Sequence, residues 1–344
     1  MEEKTARRVV YLDALRVISM FAVMVIHLAA TGYREAAPGS YEWLVCLIYN
    51  SMARFAVPVF VMISGAIYLD PARAVTMADM LKKAGSLMLI FFGWSLVYAL
   101  AESVKEHPMF KAGYFLSVAQ KTVTGHYHMW YVYMIAVLYL ATPFLRPIAA
   151  DVKLLRQFLL LTFLLNHCLR LLCVLPGIGE TARSVAGKAD LGLFSGYAGY
   201  YCLGYYLHNT EVPHRKAGTL MLASMVLLTA AVAGSIFLGL TDAVVSEKMP
   251  HNVLYSAAVF LFFKSRNGWL AGSRIKSIIE KVAPCTFGMY FVHPVFNFLT
   301  RRSGLYALTF DPLFCIPLCS ALVCAASFLV IRLMKSLPVL RRFA

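Results

Sequence analysis

Three ionisable side chains share the first strongly apolar stretch of the sequence, residues 11–30, "YLDALRVISMFAVMVIHLAA". Asp13 and Arg16 lie three positions apart, and His27 follows Arg16 by eleven positions. At about 100° per residue on an α-helix, all three share one face, with Arg16 and His27 roughly 16 Å apart along the axis. Ionisable groups inside an apolar helix usually face a cavity. The spacing therefore predicts a path that runs from Arg16 to His27.

A simpler interpretation of the same spacing stays open. An arginine near the end of a span can extend its guanidinium to the membrane interface, and an aspartate three positions earlier can neutralise it. His27 would then be an interfacial residue. Its position on the face shared with Asp13 and Arg16 favours the cavity.

The second apolar stretch, "NSMARFAVPVFVMISG" at 50–65, also contains a charge. Pro58 removes a backbone donor and is expected to kink the helix. Arg54 needs a partner, and a kinked helix with an arginine suggests the wall of a cavity. Alternatively, Arg54 is interfacial and the helix begins at Phe55.

Histidines and aromatic residues gather in "GHYHMWYVYMIAVLYLATPFLRPI" at 125–148. Rings at a membrane interface explain Trp130 and Tyr131, but not the two histidines. His126 and His128 could bind a metal ion, although no carboxylate lies at ligand spacing, and we predict no metal site.

A further polar face is predicted in "GMYFVHPVFNFLTRRSG" at 288–304. His293 and Asn297 are one helical turn apart, and Arg301 follows a turn later. Three polar groups stacked on one face of an apolar helix indicate a lined passage rather than a surface facing lipid.

The elements that carry these residues are membrane helices. Of 344 residues, 60% are hydrophobic and only 14% are charged, with a mean hydropathy of +0.69. Such a chain is an integral membrane protein. We expect one all-α domain over residues 1–344, a polytopic transmembrane bundle of about ten spans, at about 9–30, 44–69, 84–101, 128–149, 155–175, 191–207, 217–239, 248–263, 282–300 and 312–334.

Charge sets the expected orientation. With the N-terminus in the cytoplasm, 20 of the 32 lysines and arginines fall on cytoplasmic segments, which favours cytoplasmic location of both termini. The net charge of +15 is therefore mostly topological. We expect contact with membrane lipids and no nucleic-acid binding, because no basic face is interleaved with exposed aromatic rings. Most of the eight cysteines lie inside apolar runs and are expected to be small buried hydrophobes.

Four of these stretches together resemble the acyltransferase-3 family of bacterial integral-membrane O-acyltransferases. The matching motifs are "YLDALR", in which ten residues separate Arg16 from His27, "ARFAVPVFVMISG", "HMWYVYMIAVLYLATPFL" and "YFVHP". They occur in order over nearly the full length. The resemblance is closest to stand-alone members that O-acetylate surface polysaccharides, such as those acting on enterobacterial common antigen.

The resemblance implies a multi-pass enzyme of the bacterial inner membrane. Its donor would be a cytoplasmic acyl-CoA, usually acetyl-CoA as co-substrate with no tightly bound cofactor, and its acceptor a saccharide or glycolipid hydroxyl. In that family the first-span histidine is the presumed catalytic residue and the first-span arginine is essential, which points to His27 and Arg16. The chain ends soon after its last basic cluster, so we expect no fused extracytoplasmic hydrolase-like domain.

These implications assign roles to the polar residues. His27, with Asp13 and Arg16, is expected to form the catalytic group, as a general base or as a covalent acyl carrier. Phosphates of acyl-CoA would bind basic residues near the cytoplasm, namely Arg16, Arg73, Lys82 and Lys83. The acceptor chamber or pore would be lined by Arg54, His128, Trp130, Tyr131, His293 and Asn297.

Two alternatives remain at this stage. Buried Asp, Arg and His side chains also suit a secondary transporter or an exporter of polysaccharide units, although no internal repeat is apparent. Among enzymes, succinyl transfer to a periplasmic glucan is the nearest alternative to acetyl transfer.

Overall fold

A computed structural model describes residues 9–106, 112–189, 196–338 and 340–344. All regular secondary structure in these ranges is helical. The α-helices are α1 Val10–Glu35, α2 Tyr41–Ala53, α3 Ala56–Tyr68, α4 Met77–Glu106, α5 Ala112–Thr124, α6 Trp130–Ala150, α7 Val152–Thr162, α8 Leu169–Val174, α9 Gly179–Lys188, α10 Ala198–His208, α11 His214–Leu238, α12 Thr241–Val244, α13 Pro250–Ser265, α14 Asn267–Gly272, α15 Ile275–Val282, α16 Thr286–Arg302 and α17 Pro312–Ser336. A π-helical turn, Phe163–Cys168, joins α7 to α8, and short 3₁₀ segments lie at Ala283–Cys285 and Leu340–Phe343.

Helix α1 occupies the centre of the bundle. It packs against α2, α3 and every helix from α13 to α17. Leu15, Met24 and Ala29 on this helix are completely buried. A polar side chain on α1 therefore has protein around it rather than lipid, which is the condition that the spacing of Asp13, Arg16 and His27 requires.

Seven helical segments of the described chain are long and apolar enough to cross a membrane: Val10–Glu35, Tyr41–Tyr68, Met77–Val104, Trp130–Ala150, Val152–Val174, His214–Leu238 and Pro312–Ser336. Three further segments were predicted as spans. They correspond to α10, α13 and α16, with 11, 16 and 17 residues. These are shorter than the roughly 20 residues that an isolated span needs, and α10 and α13 are largely buried by their neighbours. Ten spans and cytoplasmic termini stay predictions.

The predicted second span is broken into two helices. Helix α2 ends at Ala53, α3 begins at Ala56, and Arg54 and Phe55 form the joint. Pro58 explains the position, because proline has no N–H to donate to the carbonyl four residues earlier, which belongs to Arg54. The helix is thus interrupted within one turn of Pro58, and Arg54 lies at the interruption.

Some helix limits differ from those expected. Helix α4 begins at Met77 rather than near 84 and continues to Glu106, beyond the predicted end of the third span at 101, and α5 also lies before the fourth predicted span. Apolar run length cannot detect these extensions, because their side chains are mixed in polarity. The expected start of the sixth span at 191 lies outside the described residues, and the described helix covers Ala198–His208.

Helices α3 and α10 cross with their backbones in contact. A Cβ atom on Gly65 would lie 1.8 Å from the carbonyl oxygen of Tyr201, and one on Gly204 would lie 2.0 Å from that of Met62. No side chain larger than hydrogen fits at either position. Small residues allow this approach in membrane helix pairs.

We predict that Gly204→Ala destabilises the protein by about 1–3 kcal/mol, because the added methyl group must push the two backbones apart. The measurement is thermal unfolding of purified protein in detergent. Gly218→Ala on α11 is the matched control, since a Cβ there meets nothing within 4 Å. Equal melting temperatures for the two variants would contradict the close crossing.

Candidate active site

The first cavity in the bundle, called here the arginine cavity, measures about 310 Å³. Its polar lining includes Arg16 of α1 and Lys83 of α4. Lys83 also lies over two aromatic rings, 4.8 Å from the centroid of Tyr68 and 5.6 Å from that of Tyr139. Arg16 bonds Asp13, with 2.6 Å between Nη1 and Oδ1. Two cations therefore face one cavity, which suits an anionic ligand.

The second cavity, called here the histidine cavity, measures about 250 Å³. Its lining includes His27, His126, Tyr127, Asn297 and Arg301. Arg301 forms an ion pair of 2.6 Å with Glu35 at the end of α1. The cavity thus joins an imidazole to a wall of amide, aromatic and charged groups.

The two cavities share the same three chain segments. On α1, Val23 lines the arginine cavity, and His27, one turn later, lines the histidine cavity. On α16, Tyr290 lines the first, whereas Pro294 lines the second. Near the start of α6, Tyr131 lines the arginine cavity and Tyr127 lines the histidine cavity. The partition between the cavities is therefore about one helical turn thick, and His27 stands at its edge.

Four histidines gather at this partition. The ring centroid of His293 lies 5.1 Å from that of His27 and 5.3 Å from that of His128. The centroids of His128 and His126 are 5.0 Å apart, and their Nδ1 atoms are hydrogen bonded at 2.8 Å. His126 Nε2 lies 3.2 Å from Oε1 of Glu102 on α4. The rings form a row from His27 to a carboxylate.

The sequence pair His293–Pro294 sets the orientation of one of these rings. Pro294 has no N–H for the carbonyl of Tyr290, four residues earlier in α16. That carbonyl instead lies 2.8 Å from Nδ1 of His293. A carbonyl only accepts hydrogen bonds, so Nδ1 of His293 carries the proton and Nε2 is an acceptor. The proline thus fixes the tautomer of its neighbour.

Tyrosines attach this row to the surrounding helices. The Tyr290 hydroxyl donates to the His128 carbonyl, and the Tyr98 hydroxyl donates to the Phe291 carbonyl at 2.6 Å. The Tyr98 ring also stacks on His126 at 4.5 Å. These contacts join α4 and α16 to the segment that precedes α6.

Several buried polar atoms at the partition have no hydrogen-bond partner among the described residues. They are Nε2 of His128, Nε2 of His293 and Oδ1 of Asn297. An unpaired buried polar group costs roughly 1–3 kcal/mol. Three such atoms around one histidine indicate a place prepared for a polar ligand rather than a site of packing.

Arg54 has a partner that was not predicted. Its Nη1 lies 3.8 Å from Oε2 of Glu247, in the segment between α12 and α13. The Tyr197 hydroxyl donates to Oε1 of the same carboxylate at 2.5 Å. Arg54 lines neither cavity.

The remaining predicted residues fall in different places. Tyr131 lines the arginine cavity rather than the histidine cavity. Trp130 lines neither of the two, and its ring packs 5.8 Å from Tyr197. Arg73 and Lys82 are exposed and also lie outside both linings. The structure therefore brings together Arg16 and Lys83 on one side of the partition, and His27 and Asn297 on the other, with His128 and His293 nearby.

Glu102, Tyr290 and Glu247 were absent from the predicted site. Glu102 lies between the third and fourth predicted spans, 24 residues from its partner His126. Tyr290 lies four residues before Pro294. Because proline has no N–H, the sequence indicates that the Tyr290 carbonyl lacks its usual helical donor. Nothing local in the sequence pairs Glu247 with Arg54.

The comparison with known families gives a match over nearly the whole chain. The acyltransferase-3 family profile, described as an acyltransferase domain, matches residues 9–332. The chain belongs to the acyltransferase-3 family. It is a multi-pass membrane acyltransferase by that membership and by its apolar helices. No curated protein and no solved structure matches the chain.

We predict that Glu247→Ala destabilises this acyltransferase by about 1–3 kcal/mol, because it leaves the Arg54 guanidinium without its counter-charge and the Tyr197 hydroxyl without an acceptor. Thermal unfolding in detergent measures the effect. Glu211→Ala is the control, since that carboxylate is 97% exposed beside Lys264. An unfolding temperature as high as that of the control would show that the pair contributes nothing to stability.

Proposed function

We propose that this protein moves an acyl group, acetyl in the first place, from acyl-CoA to a hydroxyl of a saccharide. The observation that carries the proposal is the position of His27 at a thin partition between a cavity with two cations and a cavity with polar and aromatic walls. A thioester on one side and an alcohol on the other could both reach such an imidazole. Family membership supports the reaction class.

The arginine cavity suits the donor. CoA is a polyanion with a long pantetheine arm, and arginine recognises phosphate through a planar fork of donors. Arg16 and Lys83 would bind phosphate oxygens, and the tyrosine-lined part of the cavity would hold the arm. Asp13 keeps the guanidinium of Arg16 oriented through their hydrogen bond. Arg73 and Lys82, which are exposed outside the cavity, would act only through long-range attraction.

His27 supplies the base that the reaction needs. The acceptor O–H bond must break while oxygen attacks the thioester carbon, and a neutral imidazole can take that proton. The developing oxyanion needs a donor or a positive charge, which the Asn297 amide could provide. A covalent acyl-histidine that carries the acyl group from one cavity to the other fits the same position.

The histidine cavity suits a sugar. Tyr127 and Tyr306 in its lining offer aromatic faces, and Asn297 and Arg301 offer hydrogen bonds. His128 and His293 support this side from behind the wall. We place the enzyme in the bacterial inner membrane with both termini in the cytoplasm. Its acceptor would be a saccharide or glycolipid of the cell envelope, as for stand-alone family members acting on polysaccharides such as enterobacterial common antigen.

We predict that His27→Ala lowers acyl transfer at least 100-fold, because general base catalysis contributes roughly 100- to 10,000-fold. The assay incubates membranes containing the protein with radiolabelled acetyl-CoA and counts label in extracted glycan. His214→Ala, at the exposed start of α11, is the control and should transfer label normally. Full activity of the His27 variant would remove this residue from the mechanism.

The same assay separates an enzyme from a transporter of polysaccharide units. An acyltransferase labels glycan, whereas a transporter leaves all label on CoA. Absence of transfer by wild-type membranes that contain the cell-envelope glycans would reject the proposed function.

We predict that Lys83→Ala raises the KM for acetyl-CoA about tenfold with little change in kcat, because a hydrogen bond to a charged group contributes about 1.5 kcal/mol. Lys82→Ala removes the same charge one residue away, outside the cavity, and is the matched control. Initial rates at varied acetyl-CoA measure both variants. An equal rise in KM for the two would mean that only the general positive charge of this end attracts the donor.

A further inference from the structure

The hydrogen bonds of Glu102, His126 and His128 define where their protons lie. An ionised carboxylate only accepts, so the 3.2 Å contact with Glu102 requires a proton on Nε2 of His126. Burial lowers the pKa of the His126 imidazole, although Glu102 acts in the opposite direction. In neutral His126 the other nitrogen, Nδ1, is therefore an acceptor.

The next ring must then donate. His128 Nδ1 lies 2.8 Å from the acceptor Nδ1 of His126, which places the His128 proton on Nδ1. Nε2 of His128 is left as an acceptor, and it is buried without a partner among the described residues. The donors thus all point in one direction, from the buried end toward Glu102.

His293 ends in the same condition. Its Nδ1 donates to the Tyr290 carbonyl, and its Nε2 is a second buried acceptor without a partner in the described chain. The rings of His293 and His128 are adjacent, with centroids 5.3 Å apart, and His27 lies 5.1 Å beyond. Two neighbouring acceptors without a donor form a receiving site for one proton beside the base.

We propose that His293, His128, His126 and Glu102 form a proton wire that leads from His27 to the outer surface of the bundle. The inference rests on the proposed acyl transfer, for which His27 takes a hydroxyl proton. His293 accepts that proton at Nε2 and releases it from the same atom to Nε2 of His128. His128 then passes its Nδ1 proton to His126, and His126 passes its Nε2 proton to Glu102, whose side chain is 39% exposed.

The wire changes the proton balance of the reaction. The acceptor O–H and the thioester C–S bonds break, the ester C–O bond forms, and CoA leaves as a thiolate. Without a wire, His27 returns the hydroxyl proton to that thiolate. With the wire, the proton leaves through Glu102, and water in the donor compartment protonates the thiolate. One proton is released on the acceptor side and one is consumed on the donor side for each ester formed.

The groups around the wire are consistent with a single mobile proton. Lys121 of α5 lies 3.9 Å from Oε2 of Glu102, on the other oxygen from the one that faces His126. Tyr98 stacks on His126, and the ring of Tyr127 lies 4.4 Å from it. The His27 ring faces Tyr127 at 5.4 Å, and Tyr290 lies behind His128 and His293. Glu102 is the only carboxylate among these contacts of the described residues.

The kinetic test uses Glu102→Gln in membranes that transfer label to glycan. We expect kcat to fall about tenfold at unchanged KM for acetyl-CoA, which is part of the 100- to 10,000-fold contribution of acid–base catalysis. Imidazole buffer added on the acceptor side should restore the rate, because a soluble base can replace the missing carboxylate. His126→Ala should behave in the same way.

Lys121→Met is the matched control. It breaks the ion pair of Glu102 but keeps the contact with His126, so it should retain most of the activity and show no response to imidazole. A Glu102→Gln rate equal to wild type, or a loss that imidazole does not restore, would overturn the proposal. In that case Glu102 would have a structural role or none.

A second test needs no turnover, so it separates failure of the wire from failure of the acyl-transfer proposal. Protein with ¹⁵N-labelled histidine in nanodiscs is examined by NMR, with assignment through single His→Asn variants. We expect the proton on Nε2 of His126 and on Nδ1 of His128 and His293. Glu102→Leu should release the His126 tautomer, whereas Lys121→Met should not. A proton on Nδ1 of His126 in the wild-type protein would reject the wire.

Discussion

Polar groups inside an apolar slab have no water to satisfy them, so each one must find a partner in the protein or wait for a ligand. In this bundle the constraint is met around α1. Asp13 pairs with Arg16, and Arg54 pairs with Glu247. In the row of four histidines, His126 and His128 form hydrogen bonds on the side that faces Glu102. The unpaired nitrogens that remain lie beside His27, where the proposed chemistry takes place.

Two prolines, Pro58 and Pro294, each leave a backbone carbonyl without its usual helical donor. Pro58 has no N–H for the carbonyl of Arg54, and the helix is interrupted at Arg54 and Phe55. Pro294 frees the carbonyl of Tyr290, which then orients His293. A missing N–H is usually a cost to a helix of about 3 kcal/mol. Here the freed carbonyl at Tyr290 is bonded to a side chain of the site, which offsets part of that cost and fixes a tautomer.

Much of this arrangement could be predicted from the sequence because it depends on helical period. The common face of Arg16 and His27, the turn between His293 and Asn297, and the kink at Pro58 are local geometry. Pairings between distant segments could not be predicted, since hydropathy does not report which helices touch. The contacts of Glu102 with His126 and of Arg54 with Glu247 depend on tertiary packing. The exposed position of Lys82 and the cavity-lining position of Lys83 depend on the rotation of α4. A shift of one residue rotates a side chain by about 100°.

The backbone crossing of α3 and α10 has a mechanical consequence for the arginine cavity. With Gly65 and Gly204 each seated against an opposing carbonyl, the two helices cannot slide or separate without losing their contact, so the cavity wall that includes Ser64 and Tyr68 behaves as a rigid post. Helix α4 also lines this cavity, and most of its surface faces outward. A wider opening for a bulky donor would therefore require displacement of side chains on α4 rather than of the α3 backbone.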